Sequence, residues 1–188
     1  MSHSTSDEGS PSPTPDQRSA SSAATPASPD QVHERLDQLN VIWTTQSHPA
    51  MRTVADSKLY RDGVPGGYSK NLFLRNKKGR MWLVTLHEDR QVDLKDLGQL
   101  IGAGRVSFGS ETRLLDNLGV IPGAVTPLAV INDSRNVVTA VLDSRLLTLD
   151  PLHFHPCDNR MTTTLSAAGL LAYMRSCDHE PVVLEFSS

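Results

Sequence analysis

Four short stretches of the 188-residue chain carry residues that could do chemistry. The first is Lys70-Asn71 in YSKNLFLRNKKGR, a cation and an amide side by side at the mouth of an apolar run. Such a pair either sits solvated at a turn or faces a ligand, and composition alone favours the solvated reading. The second is PGAVTP, residues 122–127, a glycine followed by apolar residues and fixed between two prolines. It is either a plain loop or a rigid holder of backbone N–H groups for a carbonyl or an anion. The third is HFHPCDN. If it is extended, His153, His155 and Cys157 project to one face, as three zinc ligands would. They would spread over about 13 Å at ~3.3 Å per residue, so only a bend at Pro156 could gather them. One buried and one surface histidine is the simpler arrangement. The fourth is Arg105 in GAGRVSFGS, a loop residue between two expected helices, either solvated or offered to phosphate. There is no G-x-S-x-G elbow, no H-E-x-x-H and no P-loop, and neither cysteine sits in a catalytic signature. If the chain is an enzyme, it works without an obvious protein nucleophile.

The elements that must position these residues follow from periodicity. VHERLDQL places Val32, Leu36 and Leu39 on one helical face, and VIWTTQSH reads as a short strand. Residues 54–59 are expected to be helical and GVPGGYS a turn-rich loop. KNLFLR and RMWLVTL are apolar runs separated by NKKG, a hairpin with Gly79 closing the turn. VDLKDLGQLIG and SETRLLDNLG are helices, with Asp93 and Ser110 as N-caps and Gly119 ending the second. LAVIN and VVTAVLD are expected to be strands joined by a DSRN hairpin. LHFHP and TTTL read as extended, SAAGLLAYMRS as a helix capped by Ser166, and PVVLEF as a closing strand. No internal repeat and no regular βαβ rhythm appear. The expectation is a mixed, largely antiparallel α+β domain with helices packed on a curved sheet.

Bulk properties bound the partners. Residues 1–30 are mostly Ser, Pro, Ala and Thr, with no large apolar residue after Met1, and are expected to form a disordered tail ahead of a domain over residues 31–188. The tail lacks the apolar core of a secretory signal and the arginines of a transit peptide, and no stretch approaches the roughly 18 apolar residues of a membrane span. The tail holds Asp7, Glu8, Asp16 and Asp30 against Arg18, which accounts for the whole chain's net charge of −3. The domain is therefore neutral and meets a polyanion only through a local patch. The two cysteines give no disulfide framework and read as reduced thiols of a cytosolic protein.

Taken in order, SKNLFLRNKKGRMWLV, VDLKDLGQLIGAGRVSFGSETRLLDNLGVIPGAVTPLAVIND, LDSRLL and FHPCDNRMTTTLS resemble the YbaK-like aminoacyl-tRNA deacylase superfamily. Within it the chain looks like the free-standing prolyl-tRNA deacylases, relatives of the editing insertion domain of bacterial prolyl-tRNA synthetase, over residues 34–186. The resemblance implies a YbaK-like α+β fold, no cofactor, and hydrolysis of tRNA(Pro) mischarged with alanine; seryl- or cysteinyl-tRNA(Pro), or binding without catalysis, are the alternatives. It assigns catalytic roles to Lys70, Gly123 and His155. Asn71, Arg105, Ala124, Val125, Thr126 and Asn159 become substrate contacts: Asn71 beside the lysine at the terminal adenosine, Arg105 near the acceptor stem, and residues 123–127 against the aminoacyl group. Ala124 and Val125 are the expected wall of a size filter that admits alanine and excludes proline. The partners implied are the tRNA(Pro) acceptor end, with prolyl-tRNA synthetase or an elongation factor behind it. A cytoplasmic monomer without membrane attachment is expected. Ser69 stands where the family usually has threonine, Ala124 where many members have serine, and Ala168-Gly169 where an acidic residue is usual.

Overall fold

The computed structural model describes residues 26–51, 53–61 and 63–186. Most of the expected tail, residues 1–25, lies outside them. Its last residues already belong to the domain: the Ala27 N–H donates to Asn132 Oδ1 at 2.7 Å, and Ser28 with Gln31 forms a capping box at the start of α1 (Pro29–Gln38). Residues 27 and 28, ahead of the expected boundary at residue 31, thus bond to the domain.

Then follow β1 (Trp43–Ser47), α2 (Val54–Tyr60), β2 (Gly67–Asn76), β3 (Met81–His87), α3 (Leu94–Leu100), β4 (Val106–Phe108), α4 (Glu111–Leu118), β5 (Val138–Asp143), β6 (Leu152–Phe154), β7 (Met161–Leu165), α5 (Ala167–Ser176) and β8 (Val182–Leu184). The strands form one eight-stranded sheet in the order β1-β7-β6-β2-β3-β5-β8, with β4 also on β2. The β1–β7, β7–β6, β2–β3 and β2–β4 pairings are antiparallel, while β2–β6, β3–β5 and β5–β8 are parallel. The sheet is mixed, as expected.

Alternation along β3 builds two cores. Met81 and Leu83 join Val138, Ala140 and Leu142 of β5 under α1, α4 and α5, which contribute Leu36, Leu118 and Tyr173. Trp82, Val84 and Leu86 face the other way, toward Leu97 of α3 and Phe186. Both faces are covered, so the strand reads as an unbroken apolar run. Each fully buried leucine contributes about 1.5–3 kcal/mol. The expected caps are in place: Asp93 and Ser110 accept backbone N–H groups of α3 and α4, and Gly119 ends α4 at φ 63°.

Three expectations are corrected. LAVIN is not a strand: Pro127–Asn132 is a 3₁₀ helix, with Thr126 Oγ1 accepting the Leu128 N–H. A short apolar run does not reveal its own period, and here Pro127 in the first turn and burial of Leu128, Ala129 and Val130 favour the coiled form. DSRN is accordingly no hairpin; β5 pairs in parallel with β3 and β8 instead. Its start is set by Asp133, whose carboxylate accepts the N–H groups of Val137 and Val138. Arg105, too, does not lie between two helices directly, because β4 intervenes.

Asp133 also meets His179 Nε2 at 3.1 Å, while His179 Nδ1 faces the Cys177 carbonyl at 2.7 Å. Burial by itself lowers the pKa of this ring, but the bonds to Asp133 and Cys177 outweigh it and the net direction is upward. An acceptor at each nitrogen favours the protonated ring.

Candidate active site

β2 is shared between two partners along one edge. Gly67 and Tyr68 pair with β6, Leu74 to Asn76 pair with β4, and residues 69–72 have no strand partner on that side. A cavity of about 220 Å³ opens at this gap. That is why consecutive residues Ser69, Lys70 and Asn71 all line it, where a fully paired strand would offer only alternate ones. The loop at Gly123 and Val125 forms a second wall, His153 of β6 and His155 just after it a third, and α2 with Ser57, followed by Arg61, covers the fourth.

Five expected site residues therefore meet: Lys70, Asn71, Gly123, Val125 and His155. Lys70 forms no ion pair among the described residues, and burial lowers its pKa against the opposing charge of Asp89. Its ammonium is available to a ligand anion. Gly123 has φ 90°, a conformation that favours glycine, and the Ala124 N–H closes a turn onto the Ile121 carbonyl. Among the described residues the N–H groups of Gly123 and Val125 donate to nothing, and both residues line the cavity.

The two histidines of HFHP differ. His153 engages both nitrogens: Nε2 donates to the Pro65 carbonyl at 3.0 Å, and Nδ1 lies 2.9 Å from Thr164 Oγ1. It is stacked on Tyr68, with ring centroids 4.5 Å apart. His155 donates from Nδ1 to the Met161 carbonyl at 2.7 Å. A carbonyl can only accept, so Nδ1 carries the hydrogen and Nε2 is a lone-pair acceptor. Burial lowers the His155 pKa, opposed by the Met161 bond and helped by His48, whose ring is 5.8 Å away. Burial and His48 both favour the neutral ring. Cys157 does not complete a metal set: it packs against the first core, and burial pushes its thiol up to about 12. No group of three His, Cys, Asp or Glu among the described residues could hold a metal.

Four expected contacts lie elsewhere. Ala124 is 2% exposed and sits in the core, whereas Val125 packs against the same core and also lines the cavity. Thr126 is buried and caps the 3₁₀ helix. Asn159 clamps the segment before α2, its Nδ2 donating to the Met51 carbonyl while the Met51 N–H donates to the Asn159 carbonyl. Arg105 is exposed beyond the far end of β2, whose Asn76 pairs with Val106, roughly 20 Å from Lys70 at ~3.4 Å per residue. There it joins Arg75, Lys77, Lys78 and Arg80, none of which forms an ion pair among the described residues. This is the local basic patch that a neutral domain needs to meet a polyanion.

The site also contains residues that the sequence did not announce. The Arg61 guanidinium lies 3.9 Å from the Tyr68 ring centroid and pairs with Glu88, so Tyr68 is sandwiched between Arg61 and His153. The buried Arg90–Asp143 pair, at 3.0 Å, fixes the turn that carries Glu88. Only Glu88 had a readable signal. The NKKG turn sets Ser69 opposite His87, which brings residue 88 beside Tyr68.

The profile of the family described as "Aminoacyl-tRNA editing domain" matches residues 48–173, which contain every wall of this cavity. The chain belongs to that family. Its class of chemistry is aminoacyl-tRNA deacylation, the hydrolysis of a carboxylic ester. A mouse protein named prolyl-tRNA synthetase associated domain-containing protein 1 is 35% identical over 161 residues, covering 83% of this chain and 95% of the mouse protein. The prolyl-tRNA editing protein ProX of Acetoanaerobium sticklandii is 37% identical over 140 residues, 74% of this chain and 85% of that one. The fold matches a crystal structure provisionally described as a trans-editing enzyme for prolyl tRNA synthetase. The TM-score is 0.65 at 19% identity, over 90% of this chain and 99% of the other.

Proposed function

We propose that this editing-family protein is a trans-editing hydrolase that removes alanine from mischarged tRNA(Pro) and leaves prolyl-tRNA(Pro) intact. The observation that carries the reading is the convergence, in one small cavity, of two unengaged backbone donors, a neutral histidine acceptor and an unpaired lysine. An aminoacyl ester is already activated, so hydrolysis needs a placed water, donors for the developing oxyanion and a limit on size. In this reading the Gly123 and Val125 N–H groups receive the carbonyl oxygen, and His155 Nε2 accepts a hydrogen bond that orients the attacking water. Lys70 holds the terminal nucleotide with Asn71 beside it. Water adds to the carbonyl and the ester C–O bond breaks. The free hydroxyl of the terminal ribose relays the water's proton to the leaving oxygen, giving alanine and uncharged tRNA. Val125 limits the space beside the aminoacyl carbon.

The basic patch at the far end of β2 suits the acceptor stem, since the single-stranded 3′ end spans the distance between patch and cavity. The substrate makes prolyl-tRNA synthetase, or an elongation factor, the source from which this protein receives it, and the cytoplasm the place where it acts as a monomer. Deacylation assays with alanyl-, seryl-, cysteinyl- and prolyl-tRNA(Pro) test the proposal. Alanyl-tRNA is expected to be hydrolysed fastest and prolyl-tRNA spared. Faster release of serine or cysteine would move the specificity, and binding without hydrolysis of any of the four would overturn the reading.

A further inference from the structure

Two buried side-chain oxygens among the described residues have no hydrogen-bond partner, Asn71 Oδ1 and Thr85 Oγ1. They are neighbours. The β2–β3 ladder sets Asn71 directly opposite Thr85, so both side chains rise from the same face with Cβ atoms about 4.5–5.5 Å apart. Thr85 is completely buried, the polar residue in an otherwise apolar stretch from Met81 to Leu86. Valine would have the same shape there, so packing does not explain the hydroxyl. Native proteins leave few buried polar groups unpaired. Two orphaned oxygens on directly paired residues are a setting in which one buried water can serve both. A substrate group does not fit this place, because Thr85 is not on the cavity wall whereas Asn71 is.

The Asn71 amide has an inner atom toward Thr85 and an outer one, Nδ2, which lies 3.4 Å from Ser69 Oγ beside the cavity. Turning the amide over would exchange the two atoms and leave an orphan on the same inner side. We propose that Thr85 is a positioning residue: its hydroxyl and Asn71 Oδ1 together hold one buried water that fixes which way the Asn71 amide faces. The water donates to Oδ1 and accepts the Thr85 hydroxyl hydrogen. Nδ2 is thereby kept outermost, as a donor to ribose or phosphate oxygens of the bound end. Without the water the amide is free to turn and present oxygen to oxygen. The inference rests on reading the cavity as the seat of an aminoacyl-tRNA end.

The test compares Thr85→Val with Thr85→Ser in steady-state hydrolysis of alanyl-tRNA(Pro). Thr85→Val keeps the shape and is expected to melt at or above the wild-type temperature, while kcat falls about tenfold and KM changes less than about twofold. Thr85→Ser should return kcat to within about twofold of wild type. Asn71→Ala and the Asn71→Ala/Thr85→Val double variant should be equally slow, since the hydroxyl acts only through the amide. Wild-type kcat in Thr85→Val overturns the proposal. Should wild-type protein hydrolyse no mischarged tRNA(Pro), the functional reading fails and the water is judged by a high-resolution crystal structure of the wild type. Density within hydrogen-bond distance of both oxygens sustains it, and its absence overturns it.

Discussion

Two asparagines on one strand show how β2 divides its work. Asn76, at the hairpin end, is buried and both polar atoms of its amide are bonded. Oδ1 accepts the N–H groups of Lys78 and Arg80, and Nδ2 donates to the Ala103 carbonyl. The backbone around it is paired on both sides, with β3 and β4. Asn71, at the cavity end, has one long contact to Ser69 and an orphan oxygen, on a stretch of strand that is open along one edge. Saturated bonding marks the end that holds the fold, and unsaturated bonding marks the end that awaits a ligand. The surrounding charges follow the same division. Among the described residues, the hairpin end carries a cluster of surface cations without ion pairs, whereas the cavity wall holds one such cation, half-buried Lys70.

The largest effects should break this contrast most cleanly. Lys70→Ala is expected to lower kcat/KM for alanyl-tRNA(Pro) about a hundredfold with an unchanged melting temperature. Asn76→Ala should do the reverse, costing about 1–3 kcal/mol in urea unfolding while the folded fraction still edits. If the two variants behave alike, the division is wrong. The loop opposite β2 gives the next test. Val125→Gly should widen the cavity and raise prolyl-tRNA hydrolysis by about tenfold. Ala124→Leu should overpack the core and lose about 1–3 kcal/mol, since its side chain does not face the cavity. Hydrolysis of both charged tRNAs and thermal melts read both outcomes. At the basic end, Arg75→Ala and Arg105→Ala should each raise KM about threefold and reduce the slope of log affinity on log salt by about one.

The smallest expected effect is a shift with pH. The folded-state pKa of His155 is depressed, so its neutral form persists below the model-peptide value of 6.5. The unfolded chain then binds the extra proton first. The stability contributed by this ring is present above pH 6.5 and lost as pH falls through the lower folded value. Deacylation should fall over the same acidic window, because a protonated ring has no acceptor at Nε2. His179 has the opposite sign: its raised folded pKa gives stability that is complete below 6.5 and lost as pH rises through the folded value. Melting temperatures of wild type and His179→Gln across pH should converge on the alkaline side, and a constant gap would show that His179 is not charged.

Much of this was legible in the chain. The hairpin, the capped helices and the convergence of Lys70, Asn71, Gly123, Val125 and His155 follow from turn chemistry, periodicity and family resemblance. What was not legible has specific causes. The 3₁₀ helix at 127–132 was hidden because a fully buried apolar run has no readable period. The sequence does not separate Ala124 from Val125, because irregular backbone gives no rule for which of two neighbours faces a cavity. Arg61 was missed because its partners, Tyr68 and Glu88, belong to other elements and no spacing rule connects α2 to them. Asn159 lay in a motif that suggested a ligand, and its amide instead serves the chain.

One strand touching three partners has a consequence for length. β2 meets β6 at its first residues, β4 at its last, and β3 throughout. Adding or deleting one residue between Leu72 and Leu74 would leave the hairpin turn and its ladder with β4 intact, but would exchange the faces of Lys70 and Asn71. The spacing between the two ends is therefore as fixed as the residues themselves. Surviving insertions in this region should collect at Lys77 and Lys78, in the exposed turn, and be missing from the strand it closes.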